Sequence, residues 1–543
     1  MAVPLDAAPA EAPALPGLRL PVGPSPARFL VLLGVFVCAA CGMVYELALV
    51  ALGAYLLGNT VVQASIVLSV MVFAMGVGAL ASKRLNRWPA LSFAAVEALL
   101  SLLGGLSVLL LYACFAWLRI YQAATVGVAF ALGALIGAEI PLLMNLLQQI
   151  RRQSAPDAVA DMFAADYVGA LLGGLAFPFL LLPTLGLLRG ALVVGAVNAL
   201  VGVAVTVWLF RTTLSRRALA ALAAALVAIL LVLAAAFWGS GRFEVSARQQ
   251  LYAQPIVLQQ RSEYQDIVMT SAISYDDERL YLNGNLQFSS ADEHRYHEAL
   301  VHPAMDGPRA RVLVLGGGDG LAAREILRYA DVEALTLVDL DPAVTELART
   351  EPRLTELNGR SLEDPRVEVV NADAFSWLRE RAPSEGFDVV VADLPDPDSE
   401  ATAKLYSQEM YGLVGRALAP GGRLVVQSGS PYFAPEAYWC IGETVEAAGF
   451  DATPYSVDVP SFGNWGFFLA TADDAPAGSR PDDDGAGPPL GLAEDAPAAR
   501  FLSAEVLAAA AVFPPDRGPR DVEVSTLLEP VVMGYQQQGW KGY

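Results

Sequence analysis

The stretch Val312-Leu-Val-Leu-Gly-Gly-Gly-Asp-Gly320 decides the fold of the second half of the chain. Four consecutive branched apolar residues suit a parallel strand buried on both faces. The glycines that follow form a tight turn into a helix expected over Leu321–Tyr329, and Gly316, Gly317 and Gly318 let a ligand approach the backbone closely. Downstream the pattern repeats. Leu335-Thr-Leu-Val338 runs into Asp339-Leu340-Asp341, and Val367-Glu-Val-Val370 into Asn371-Ala-Asp373-Ala374. Two further apolar runs, Val389–Val391 and Leu424–Val426, complete a βαβ series. In such a sheet ligands bind at the carboxyl ends of the strands, where Asp339 can hold a ribose diol and Asp373 with Ala374 can meet an adenine. A solvated loop carboxylate or a helix cap explains any one of these acids, but not three at successive strand ends.

Upstream the texture is different. Seven apolar stretches of spanning length occupy roughly 29–57, 61–82, 92–117, 123–147, 162–188, 190–210 and 218–238. They are rich in Gly and Ala, as in Gly169-Ala-Leu-Leu-Gly-Gly174, which favours close helix packing in lipid. The fold expected is therefore a polytopic α-helical membrane bundle of about seven spans (29–238), then an α/β Rossmann-like nucleoside-binding domain (311–472) with a small N-terminal β subdomain (243–310). A disordered tail (1–28), a disordered Pro/Gly/Asp-rich linker (473–500) and a C-terminal segment (501–543) complete it. Across 543 residues 55% are apolar and only 17% charged, which excludes a disordered or collagen-like chain. The net charge of −21 is uneven: residues 29–238 hold six acids against ten Lys/Arg, and 239–543 carry a net −25. An acidic soluble half argues against nucleic acid as a partner. Four scattered cysteines, Cys38, Cys41, Cys114 and Cys440, provide neither a disulfide framework nor a Cys₄ metal site.

Asp319 refines the ligand. In S-adenosylmethionine methyltransferases the equivalent turn approaches the amino-acid end of the ligand, so a carboxylate side chain there would face like charge. It favours a ligand that kept the amine and lost the carboxylate, decarboxylated S-adenosylmethionine. Residues 243–472 resemble the spermidine synthase (polyamine aminopropyltransferase) family, and the whole chain resembles its membrane-integrated bacterial members. The matching pieces are Ser262-Glu-Tyr-Gln265, Leu282-Asn-Gly284 with Gln287, Asp292-Glu-His-Arg-Tyr296-His297-Glu298, Gly316–Gly320, Val338–Asp341, Asp373-Ala374 and Asp393-Leu-Pro-Asp396-Pro397. The resemblance implies that Gln265 contacts the nucleoside thioether, Asp339 the ribose, and Asp373 with Ala374 the adenine. It places Gln287, Tyr296, His297 and Asp319 along the aminopropyl and amine path. Asp393 is then the catalytic base and Asp396 the anchor for a diamine's distal ammonium. The reaction implied moves the aminopropyl group of decarboxylated S-adenosylmethionine, a co-substrate, to putrescine, giving spermidine and methylthioadenosine, with no cofactor. A primary amine is protonated at neutral pH and must lose a proton before it attacks.

The chain departs from the family pattern in several places. Asn283 stands where Leu-Asp-Gly is common, Gly429 where Gln-Ser-Glu-Ser has its acid, and Val459-Pro-Ser-Phe-Gly463 lacks an amine-lining tyrosine. The nucleoside site is intact, and the acceptor end is the altered one. His294, His297 and His302 cluster, but nothing completes a zinc set with them, so no metal is expected. Glu46 in the first apolar run, Glu139 beside Pro141 and Asp166 at the start of the fifth are charges inside a bundle, which default to functional hypotheses. The expected partners are polyamines and the lipid bilayer, and self-association stays open. Loop Lys/Arg put the N-terminus in the cytoplasm. Seven crossings would then put the acidic half outside, yet its substrate favours the cytosolic face, which is the side expected. Two alternatives stand beside this reading. One is an S-adenosylmethionine-dependent transferase with another amine acceptor, and the other a polyamine transporter or sensor whose ligand domain does no chemistry.

Overall fold

A computed structural model describes residues 22–57, 60–150, 155–212, 214–381, 386–472 and 487–542, in two compact units, Met1–Ala253 and Gln254–Tyr543. Most of the expected tail, 1–21, lies outside the described residues, and the first helix starts at Pro24.

The first unit is helical: α1 Pro24–Leu57, α2 Thr60–Leu85, α3 Pro89–Ala113, α4 Tyr121–Ile150, α5 Ala155–Ala176, α6 Leu182–Ala199, α7 Val205–Leu209 and α8 Arg216–Gln249. Among the described residues, six helical stretches are long and apolar enough to cross a membrane. The seven apolar runs fall within these six. Val159–Leu209 is 51 residues long and contains two of the runs, and Gly186 breaks it with φ 70 and ψ 178. At about 1.5 Å per residue that stretch is long enough for two crossings. Glycine allows the helices to touch. A Cβ at Gly169 or Gly173 of α5 would lie 2.2 and 2.4 Å from the carbonyl oxygens of Phe36 and Ala40 on α1. The last helix extends to Gln249, past the expected boundary at 238, because its polar end continues the helical hydrogen bonding.

The second unit starts with an antiparallel sheet of β1 Ile256–Arg261, β2 Asp266–Ser271, β3 Glu278–Leu282 and β4 Asn285–Ser289. Helix α9 Glu293–Val301 follows, then β5 Arg311–Gly316, α10 Leu321–Ile326, β6 Ala334–Asp339, α11 Pro342–Thr350, α12 Pro352–Leu357, β7 Val367–Asn371, α13 Ala374–Glu380 and β8 Phe387–Asp393. The remaining elements are α14 Glu400–Ala403, α15 Gln408–Ala417, β9 Leu418–Gln427, α16 Pro435–Ala447, β10 Phe450–Val459, β11 Gly463–Ala472, α17 Ala504–Ala510 and α18 Val531–Gly539. The large sheet has the order β10-β11-β9-β8-β5-β6-β7, parallel from β9 to β7 and antiparallel at β11 and β10. The five parallel strands are the five read from the sequence. Val312 and Val314 face one core, and Leu313 and Leu315 the other, so the unbroken apolar run fills two layers at once.

One expectation is corrected. The 473–500 stretch is not uniformly an unstructured linker: 473–486 lie outside the described residues, but 487–500 is a strap on the core. Leu490, Leu492 and Ala493 pack against the α9 and α17 side of the sheet. The Glu298 carboxylate then accepts the backbone N–H groups of Arg500, Phe501 and Leu502 at 2.7, 2.8 and 2.9 Å. The Pro/Gly/Asp composition concealed the few apolar residues that anchor it.

Candidate active site

Strand order reverses between β5 and β8, and the crevice at their carboxyl ends is where such sheets bind ligands. Gly316 is paired with Asp393 across this point. Its φ is +82, and a Cβ there would lie 2.0 Å from the Asp393 carbonyl oxygen, so only glycine fits. The next amide, Gly317 N–H, donates to that same carbonyl at 3.2 Å. The turn thereby fixes the height of Asp393 above the sheet.

On the β6 side, Asp339 accepts N–H bonds from Gly318 at 3.1 Å and Asp341 at 2.8 Å. Burial nevertheless pushes its carboxyl up to about 6. Asp341 in turn accepts from the Gln265 amide at 3.0 Å and from Ser262 Oγ at 2.6 Å, which ties the small sheet to the β6 loop. Beyond β7, Asp373 caps α13 through Ser376 N–H at 2.9 Å and accepts from Lys404 Nζ at 2.6 Å. Burial opposes ionisation there, but Lys404 and the cap hold the carboxyl below its ordinary range. Ala374 is buried beside it.

The other end is acidic. Asp319 is buried behind the glycine turn with Oδ1 accepting Leu321 N–H at 2.9 Å. Burial, only partly offset by His297, raises it to about 6. Asp393 accepts the Tyr296 hydroxyl at 2.6 Å, and burial raises its carboxyl despite nearby His297. His297 is oriented through Nδ1 by the Glu293 backbone oxygen at 2.8 Å and carboxylate at 2.9 Å, while Arg324 grips that carboxylate with two bonds. Burial would lower the imidazole's pKa, but Glu293, then Asp319 and Asp393, raise it. Against burial, His297 and Arg324 bring Glu293 to about 2. Asp396 lies further along the loop, also pushed to about 6 by burial.

Two residues around Asp396 escaped the reading of the sequence. Gln427 Nε2, at the end of β9, is 3.4 Å from Asp396 Oδ1, and Gln536 Nε2, on α18, donates to Oδ2 at 2.8 Å. Gln536 is buried, and a Cβ at Gly429 would stand 3.8 Å from both Asp396 Oδ1 and Gln536 Oε1. An amide from the C-terminal segment thus stands beside the position where the family pattern has an acid. No local signal marked Gln536, since it comes together with Asp396 across 140 residues. Gln287, also expected at the amine end, bonds within its own hairpin. Its Nε2 donates to the Asn285 carbonyl at 3.0 Å, along its own hairpin rather than onto either loop acid. Asn283 also has a local explanation: with φ 51 it precedes Gly284 at φ 87 in the β3–β4 turn, a left-handed pair that Asn-Gly suits.

The spermine/spermidine synthase domain family matches residues 293–480. Polyamine aminopropyltransferase 1 of Streptomyces coelicolor is 57% identical over 520 residues, covering 95% of this chain and 96% of that protein. The chain belongs to the polyamine aminopropyltransferase family. The Mycobacterium tuberculosis polyamine aminopropyltransferase is 48% identical over 94% of this chain and 97% of its own length. A crystal structure of spermidine synthase from Thermotoga maritima is 25% identical, with a TM-score of 0.41 over 48% of this chain and 84% of that one. As a family member the chain is an aminopropyl-transferring enzyme of polyamine biosynthesis, and its second unit is the Rossmann-like catalytic part.

Proposed function

We propose that this aminopropyltransferase uses decarboxylated S-adenosylmethionine and putrescine, giving spermidine and methylthioadenosine. The observation that carries this reading is the line of three acids, Asp319, Asp393 and Asp396, none of which forms an ion pair among the described residues. A donor that kept its carboxylate would meet Asp319, whereas an amine-bearing tail is attracted to it. A diamine offers one nitrogen to Asp393 and its second ammonium to Asp396.

In this reading Asp339 and the glycine turn hold the nucleoside, with Gln265 acting through Asp341. Asp373 with Ala374 borders the adenine. The acceptor nitrogen, its proton taken by Asp393, attacks the carbon next to the sulfonium sulfur. The new N–C bond forms as the C–S bond breaks, and the electron pair stays on sulfur as a neutral thioether. Sulfonium is a good leaving group, so what the protein supplies is orientation and proton removal. Tyr296 orients Asp393, and His297 balances the charge of Asp319 and Asp393. No cofactor enters.

We place the bundle in the cell membrane with the catalytic unit on the cytosolic face, where the donor would be found. Incubating the purified protein with the decarboxylated donor and a panel of amines, with products identified by mass, tests the reading. Spermidine formed from putrescine in preference to the others is expected. Transfer only to a longer or lipid amine, or only from intact S-adenosylmethionine, overturns it.

A further inference from the structure

Three helices of the first unit bring a soft donor and two carboxylates together. Cys38 of α1, Glu97 of α3 and Glu139 of α4 have ligand atoms all within 4.8 Å of one another, and all three residues are buried, Glu97 completely. The Arg28–Asp161 and Arg248–Glu244 ion pairs of this unit involve neither glutamate. Two carboxylates in a low-dielectric bundle are either protonated or balanced by a positive charge, because desolvation of an uncompensated ionised pair is costly.

The surroundings are built to hold one of these groups. Asn198 of α6, fully buried, donates from Nδ2 to Glu97 Oε2 at 2.9 Å and to Ser101 Oγ at 3.0 Å. Such an outer hydrogen bond is what orients a ligating carboxylate. Glu97 Oε1 and Asn198 Oδ1 are buried with no hydrogen-bond partner among the described residues. Gly202, in the π-helical turn Leu200–Ala204, leaves the room: a Cβ there would fall 2.6 Å from Glu97 Cγ and 2.8 Å from Oε2. Glu46, the acid singled out from the sequence, is only half-buried and outside this cluster.

We propose that the bundle binds a thiophilic divalent cation of the zinc class between Cys38, Glu97 and Glu139. Thiolate selects against magnesium and calcium, and carboxylate oxygens with one sulfur suit zinc. Tetrahedral bonds of about 2.0–2.3 Å separate ligand atoms by about 3.5 Å, so rotation of these side chains by about an ångström closes the set. A fourth position would be filled by water, with the Asn198 amide holding Glu97 from outside the set.

The full-length protein in detergent, stripped with a chelator and titrated with Co²⁺, tests this. One equivalent of cobalt with a thiolate charge-transfer band in the near ultraviolet is expected, displaced by Zn²⁺ and not by Mg²⁺. Cys38→Ser should abolish the band and Cys114→Ser should keep it. Asn198→Leu should weaken cobalt binding by roughly 10–100-fold, the effect of losing an outer partner. Retained aminopropyl transfer and a monodisperse elution profile show that each variant is folded. No band in the parent protein, a band that survives Cys38→Ser, or cobalt displaced by spermidine but not by zinc overturns the proposal.

Discussion

Single carboxylates of the site sit in different environments, and the proposed mechanism gives them different tasks. Asp393→Asn keeps the shape and the Tyr296 contact but removes the proposed proton acceptor. Turnover should fall by about 10²–10⁴-fold while methylthioadenosine binding, read by calorimetry, stays within twofold. Asp319→Ala removes the negative charge behind the glycine turn, so the preference for decarboxylated over intact S-adenosylmethionine should narrow. Titrating both ligands against both proteins gives the ratio, and an unchanged ratio would mean that Asp319 does not sense the donor's tail. Residues of this kind were legible in the sequence because a strand end fixes where its next side chain goes. Asp339, Asp373 and Asp393 each follow a Val/Leu run by a residue or two. Gln287, on β4, instead donates its amide to the Asn285 carbonyl of its own strand.

At the scale of elements, the β5–α10 turn is bonded to Asp339 and α18 to Asp396. In the turn, Gly318 has little room to spare: a Cβ would stand 2.5 Å from Asp339 Oδ2. Gly318→Ala should therefore raise the donor KM by about tenfold or more and leave the amine KM nearly unchanged, in steady-state kinetics varying each substrate. Helix α18 acts through Gln536, whose N–H bond favours the charged form of Asp396. Gln536→Leu removes that bond, so the Asp396 pKa should rise further above about 6. The acid limb of kcat/KM for the amine should then move to higher pH, and a limb that stays in place would detach Gln536 from the acceptor end. The antiparallel pair of strands was harder to read than the parallel ones. Phe450–Val459 contains Pro454, which argues against a central strand, and β10 accommodates it by lying at the sheet's edge.

For the whole molecule, the two units have separate cores, with apolar clusters of α1–α8 in one and of the two sheets in the other. A protein beginning at Gln254 should fold and keep the parent's kcat within a few-fold, measured without detergent. A loss beyond about 100-fold, with an unchanged fold by circular dichroism, would make the bundle part of the chemistry. The bipartite plan was written in composition, since a weakly basic apolar half gives way to an acidic one. The clustering of Cys38 with Glu97 and Glu139 was not, because it depends on how three separate helices rotate against each other. The span from Asp396 to Gln536 has a consequence for biosynthesis. A ribosome delivers the helical unit first, then the β5–α10 turn, then Asp393 and Asp396, and Gln536 another 140 residues after Asp396. A nascent chain paused in that interval has Asp396 without the Gln536 amide, so this hydrogen bond forms only after nearly the whole chain has been made and α18 has docked.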